Sequence, residues 1–376
     1  MNFDFYSPTR VHFGNGKLEL IGQRVKTYGK RCFLVTTENV APMKELFDRV
    51  KDILRQEGIE IYHFDKVLAN PPKEVIEDGI TAFNDFEGQV VLAVGGGSSI
   101  DTAKSIALLN KCIPLNWSHL FSTYSSPFEK YDSLTSNKTP LISVPTTSGT
   151  GSEVTQAAVI TDGDDKNSIY HPDNYSKEAI LDPELLLTLP VSLTASTGFD
   201  AFTHAFESYI SDFSSEISRM YAFRAMKLIV EYLPKVLIEP HNILYRQKMM
   251  FAQWSAGVSL ANAGAHAPHP LSEILGGLTH ISHGESLALV YPEFVNETYS
   301  RYSLRMDDVA AIFEKPIEDG IRCFLKEIGL YRSWQEYEIK EATYKKVYES
   351  PILNYLPFGS KDSLQRIYEN AYKRKM

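Results

Sequence analysis

Three cysteines, Cys32, Cys112 and Cys323, are all that 376 residues contain, and no motif spacing pairs them. The sequence therefore has no disulfide framework and no cysteine metal site, and it fits a reducing compartment. Long apolar runs are missing as well. No stretch approaches the roughly 20 residues that span a bilayer, and the opening MNFDFYSPTRVHFGNG lacks the apolar centre of a secretory signal. A cytoplasmic protein with no membrane association is the expectation. Positive charge is also scarce: 38 Lys and Arg stand against 47 Asp and Glu, a net charge of -9 without long acidic runs. That balance argues against a nucleic-acid partner and gives no attraction to anionic lipid. No internal repeat or low-complexity tract is found.

What the sequence does contain is an ordinary globular composition in a chain too long for one small core, which points to two domains. The first half alternates buried strands with amphipathic helices. Strands are expected at Arg31 to Thr36, Ile59 to Phe64, Gln89 to Val94 and Pro140 to Val144, with helices over Ala41 to Gln56, Lys73 to Phe83 and Ser98 to Leu109. Pro114 to Lys138 reads as irregular. Val154 to Ile160 and Lys166 to Tyr170 flank Asp162-Gly163-Asp164 as a hairpin. Strand-helix-strand order with continuous apolar strands means a parallel sheet covered on both faces. After Leu189-Pro190 the periodicity is helical almost throughout, at about Thr194 to Ser211, Ser215 to Leu233, Tyr245 to Ala263 and Glu285 to Arg301. The expected architecture is α/β plus all-α: a doubly wound, Rossmann-like dinucleotide-binding domain over 1–185, then a helical metal and substrate domain over 186–376. A cofactor and substrate would normally sit between two such halves.

Four of the ten histidines, His266, His269, His280 and His283, crowd into NAGAHAPHPLSEILGGLTHISHGE. In one unbroken helix His269 and His283 would stand roughly 21 Å apart, too far for one ion. Gly276-Gly277 between them is the natural place for a break that folds His283 back. On the helix GFDAFTHAFE, Asp200 and His204 are four residues apart and share a face, a spacing that suits either one metal ion or a plain intrahelical hydrogen bond. One carboxylate with three imidazoles would suit a borderline metal such as Fe(2+) or Zn(2+) better than Mg or Ca. VGGGSSIDTAK follows one strand and opens a helix, so Gly96, Gly97 and Ser98 can bring backbone amides and a hydroxyl to a phosphate. The run matches neither GxGxxG nor Walker A, and a glycine run also makes a plain turn. PTTSGTGSE follows the next strand in the same way, and two such floors side by side suit a dinucleotide.

Together GGGSSIDTAK, PTTSGTGSEVT, GFDAFTHAFESY and HPLSEILGGLTHISHG resemble the iron-containing (group III) alcohol dehydrogenase family, in order and over essentially the whole chain. The resemblance implies an NAD(P)-dependent enzyme that interconverts a small-molecule alcohol and an aldehyde or ketone, with a metal held by Asp200, His204, His269 and His283. It implies cofactor contacts at Gly96, Gly97, Ser98, Asp101, Thr146, Thr147, Thr150 and Lys166, and a homo-oligomer, expected as a dimer. Two departures stand out. Glu273 occupies a place where many members carry histidine, which makes Glu273 and His280 the candidates for moving protons. At the end of the first strand, where NAD-using relatives often place an aspartate, the chain has Thr37 and Glu38, which leans toward NAD over NADP. The nearest rival is an enzyme like glycerol dehydrogenase or dehydroquinate synthase acting on a polyol or sugar-derived substrate. A rival of another class is a non-catalytic NAD-binding sensor or assembly protein, which would have no need of four metal ligands.

Overall fold

The computed structural model describes residues 2–163, 165–279 and 281–375. Contacts divide the chain into two compact units, Tyr6–Thr188 and a second made of Leu189–Met376 with Met1–Phe5.

The first unit holds β1 (Arg10–Phe13), β2 (Arg31–Thr37), β3 (Glu60–Val67), β4 (Val90–Gly95), β5 (Leu141–Pro145), β6 (Ala157–Asp162), β7 (Asp165–Tyr170) and β8 (Glu178–Leu181). Its helices are α1 (Ile21–Lys26), α2 (Lys44–Gln56), α3 (Lys73–Asp85), α4 (Gly97–Leu109) and α5 (Trp117–Thr123). Six strands form one parallel sheet in the order β1-β8-β5-β4-β2-β3, and β6 and β7 form a separate antiparallel hairpin. Side chains alternate across a strand, and here the alternation feeds two cores. Phe33, Val35, Val91 and Ala93 pack with Phe64, Ile76, Ile100 and Ile106 on one face. Cys32, Leu34, Leu92 and Val94 pack with Phe47, Val50 and Ile142 on the other. The doubly wound sheet follows directly from those apolar runs.

The structure departs from the expected elements in four places, two of them in this unit. The irregular 114–138 segment contains α5, whose start is capped by the Asn116 side chain accepting from the His119 amide. The short strands β1 and β8 are new, and neither has a long apolar run to reveal it. β8 begins with Glu178, whose carboxylate is 1% exposed and lies 2.6 Å from His12 Nε2, while accepting from Arg24 Nε at 2.6 Å and the Tyr28 hydroxyl at 2.8 Å. A buried charge is tolerated when paired in this way, and a carboxylate in a core strand hides that strand from a hydropathy reading.

The second unit holds α6 (Val191–Ile210), α7 (Glu216–Ile238), α8 (Ile243–Ala263), α9 (Pro268–Leu278), α10 (His283–Phe313), α11 (Ile317–Glu327), α12 (Glu341–Tyr348) and α13 (Lys361–Lys373). Ser215 and Ser218 close a capping box at the start of α7, and Asn242 caps α8. The helix expected to end at Arg301 instead runs on through a kink at Tyr302. Helix α6 is central. Its Phe199, Phe202 and Phe206 pack against Tyr291 and Phe324, and Gly198 on another face leaves room for Leu233 and Met249. From Gly198 to Ile210 every residue is buried. Asp200, Thr203, His204 and Glu207 are therefore polar groups in a helix with no wet face, and such groups need partners.

The break between α9 and α10 falls after Leu278, not at the two glycines. Gly276 and Gly277 lie within the last turn of α9 and weaken it, and the chain leaves the helix at Thr279 with φ -135°. Helix α10 then starts at His283 itself.

Candidate metal centre and nucleotide edge

Asp200 collects the imidazoles. Its Oδ1 lies 3.7 Å from His204 Nε2, 3.6 Å from His269 Nε2 and 3.5 Å from His283 Nε2. These separations are long for hydrogen bonds and match the spacing of ligands about one ion, since donors about 2.0–2.2 Å from a metal stand about 3.3–3.6 Å apart in a tetrahedron. The ligand atoms of Asp200, His269 and His283 all lie within 4.8 Å of one another. His204 joins through Asp200, and its ring stacks on His269 with centroids 4.4 Å apart. Asp200 and His204 come from one face of α6, as their spacing predicts, while His269 and His283 come from the first turns of α9 and α10.

Two details show what the cluster wants. Asp200 Oδ1 and His269 Nε2 are buried and make no hydrogen bond among the described residues. Leaving such atoms unpaired costs about 1–3 kcal/mol each, which a cation between them would remove. The charges agree. Burial pushes the Asp200 pKa up, but His204, His269 and His283 outweigh it and hold the carboxyl well below the usual range. Burial likewise pulls His269 down, but Glu207 and Asp200 on either side raise it to about 10. The pocket favours positive charge. A borderline divalent ion such as Fe(2+) or Zn(2+) fits this donor set of one oxygen and three nitrogens.

The surrounding residues explain how the rings are aimed. Glu207 Oε2 accepts from His269 Nδ1 at 2.8 Å and from the His266 amide at 2.7 Å. Ser272 donates to the His269 carbonyl at 2.7 Å, leaving its oxygen facing His283 Nδ1 at 3.4 Å. Gly284 lets α10 touch α6. A Cβ there would meet the Ser196 carbonyl oxygen at 2.1 Å. None of the three was singled out by sequence, although Glu207 lies seven residues after Asp200 and so on the same helix face. His266 has a different part. The Ala267 amide donates to its Nδ1 at 2.8 Å, so its proton sits on Nε2, 3.0 Å from the Tyr302 hydroxyl, and burial lowers its pKa to about 4. It is a neutral core histidine. Glu273 is half-buried on α9 one turn beyond His269, and His280 lies outside the described residues.

In the sheet unit the strand order reverses between β2 and β4, so their carboxyl ends, at Thr37 and Gly95, mark the crevice where open α/β sheets take ligands. Helix α4 starts there at Gly97 with no side-chain cap. Its amides and dipole are available to an anion. Gly96, Gly97, Ser98, Thr147 and Thr150 are partly exposed around this edge, and Thr146 is buried with its amide donating to the Gly95 carbonyl at 3.0 Å. The two motifs touch: a Cβ on Gly97 would lie 2.7 Å from Thr150 Cγ2, and one on Gly96 3.3 Å from Thr147 Cγ2. Thr37 and Glu38 are exposed at the end of β2, and Lys166 is half-buried on β7. Asp101, expected to meet the cofactor, has both oxygens engaged by the protein, accepting from Ser152 Oγ at 2.6 Å and from the Val159 amide at 3.2 Å. With buried Lys104, whose Nζ donates to Ser152 Oγ, Thr155 Oγ1 and the Ala157 carbonyl, it ties α4 to the second motif and the hairpin. A cavity of about 690 Å³ lined by Tyr28, Phe83, Asn110 and Lys138 opens at the opposite, amino ends of the strands, away from this edge.

Comparison with known proteins gives a consistent picture. The iron-containing alcohol dehydrogenase family model matches residues 8–183, and the model of that family's C-terminal domain matches residues 194–371. Long-chain-alcohol dehydrogenase 1 of Geobacillus thermodenitrificans is 31% identical over 97% of this chain and 95% of its own length. NAD-dependent methanol dehydrogenase of Bacillus methanolicus is 32% identical over 75% of this chain and 72% of its own. Among solved structures, a 1,3-propanediol oxidoreductase superposes with a TM-score of 0.90 at 26% identity, covering 99% of this chain and all of the other.

Proposed function

Because the chain belongs to the iron-containing alcohol dehydrogenase family, we propose that Asp200, His204, His269 and His283 hold the divalent metal with which it interconverts an alcohol and an aldehyde or ketone. The observation that carries the assignment is the geometry around Asp200 Oδ1, three Nε2 atoms at 3.5 to 3.7 Å with no hydrogen bond to quench it among the described residues. The metal, when bound, supplies Lewis acidity toward the substrate oxygen, and the nicotinamide gives or takes the hydride.

The chain's own residues supply the rest. The uncapped start of α4 with Gly96, Gly97 and Ser98 holds the cofactor's pyrophosphate, and Thr146, Thr147 and Thr150 complete the floor beside it. Asp101 and Lys104 keep that floor in register from behind. Lys166 is given a contact to the cofactor. Glu38, exposed next to Thr37 at the end of β2, disfavours a 2′-phosphate by charge, which favours NAD; the relative from Bacillus methanolicus carries NAD dependence in its name. Glu273 stands on the same face as His269 and relays a proton to water. On this reading residues 1–185 serve the dinucleotide and residues 186–376 the metal and substrate. Among the described residues no helix is long and apolar enough to cross a membrane, and the three cysteines are free, which supports a cytoplasmic setting. A homodimer is the proposed assembly.

The test is a screen of NADH and NADPH oxidation against aldehydes and ketones, repeated after chelation and after refilling with Fe(2+) or Zn(2+). Activity that chelation removes and metal restores, with NADH preferred, is expected. No turnover with any carbonyl compound in either loaded form would overturn the reading.

A further inference from the structure

A histidine offers a ligand lone pair on one ring nitrogen only when the proton is kept on the other, so the partner of Nδ1 decides what Nε2 can do. At His269 that partner is Glu207. Its Oε2 lies 2.8 Å from Nδ1 and 2.7 Å from the His266 amide, so one oxygen grips the ring and the backbone leading into α9. Glu207 is fully buried, two turns beyond Asp200 on the same face of α6, and near the buried Tyr291. A carboxylate in such surroundings is expensive unless paired, and among the described residues His269 is its only ion-pair partner. Packing alone would be served better by a hydrocarbon side chain. The carboxylate needs another reason to be there.

We propose that Glu207 is a positioning residue for the metal centre, fixing His269 as the Nδ1–H tautomer, locking its ring plane toward Asp200 and making Nε2 a stronger donor. This rests on the reading that Asp200, His204, His269 and His283 hold the ion. Carboxylates in this relation to a ligating histidine commonly contribute 10–100-fold to metal affinity. At His283 the Ser272 hydroxyl lies 3.4 Å from Nδ1, a longer contact than the 2.8 Å one between Glu207 and His269.

The test uses the full chain stripped of metal and titrated with Co(2+), followed by its visible absorption, for the natural protein and for Glu207→Gln. The amide keeps the shape and an acceptor oxygen but removes the charge. Glu207→Gln is expected to bind Co(2+) about 10–100-fold more weakly, with displaced absorption bands. Tight Co(2+) binding by the natural protein with an unchanged affinity and spectrum in Glu207→Gln overturns the part given to Glu207 alone. Failure of the natural protein to bind Co(2+) overturns the metal reading itself. If the variant does not fold, the Zn(2+)-loaded natural protein with 15N-labelled histidine decides. His269 ligated through Nε2 with a slowly exchanging Nδ1–H is expected, and ligation through Nδ1 overturns the proposal.

Discussion

Gly284→Ala adds one methyl group, and the structure states where it would go. The new Cβ would lie 2.1 Å from the Ser196 carbonyl oxygen, 2.7 Å from the Ser196 carbonyl carbon and 2.7 Å from Ser196 Oγ. Approaches under 3.0 Å essentially do not occur, so α10 must retreat from α6 by about 0.9 Å to go from 2.1 to 3.0 Å. Backbone cannot rotate aside as a side chain can. His283 is the residue just before, and it would be carried away from Asp200, which sits one turn beyond Ser196 on α6. A 1 Å error in a reacting geometry costs up to about 100-fold in rate, and overpacking a core typically costs about 1–3 kcal/mol. Gly284→Ala is therefore expected to lower kcat/KM by about 10–100-fold, weaken Zn(2+) binding and lower the melting temperature of the metal-free protein by several degrees. Steady-state kinetics, metal analysis after dialysis and calorimetry measure the three. A variant with full metal content and kcat/KM within twofold of the natural protein would refute the claim that this contact sets the ligand spacing.

Other expectations follow from the same contacts. Gly97→Ala places a Cβ 2.7 Å from Thr150 Cγ2, so it should weaken NADH binding about tenfold, worth about 1.4 kcal/mol, with little change in metal affinity, as isothermal titration would record. Burial raises the pKa of Glu178, but Arg24, His12 and Tyr28 outweigh it and lower it to about 2 from an ordinary 4.5. The folded value lies below the unfolded one, so this stabilisation, about 3 kcal/mol, is complete above about pH 5 and disappears as pH falls through 4.5 toward 2. Urea unfolding of Glu178→Gln should lack that part of the acid dependence seen in the natural protein; parallel pH profiles would count against it.

Much of this arrangement is legible in the sequence, because apolar periodicity and helical spacing are local properties. RCFLVTT and QVVLAV declare buried strands, and Asp200 with His204 share a face because four residues make about one turn. What stays hidden depends on contacts between distant residues. β8 is masked by Glu178, which is affordable only beside Arg24, His12 and Tyr28. The Asp101 carboxylate accepts from Ser152 Oγ and the Val159 amide, contacts that no local pattern announces. Gly276-Gly277 looks like a break, but glycine only weakens a helix, and the end falls at Thr279 where the chain turns to bring His283 back. Glu207 is invisible for the same reason: its value depends on His269, sixty-two residues away in the chain.

Asp200 and His204 stand on α6, His269 on α9 and His283 on α10, all within one of the two compact units. An ion held by them is a cross-link among three helices and enters the folding equilibrium of that unit alone. At a free metal concentration one hundred times its Kd, it adds about 2.7 kcal/mol to that unit's stability. Calorimetry across a metal titration should therefore move the melting of the helical unit upward while the sheet unit responds instead to NADH. The enzyme's thermal tolerance then becomes a readout of how much metal its surroundings provide.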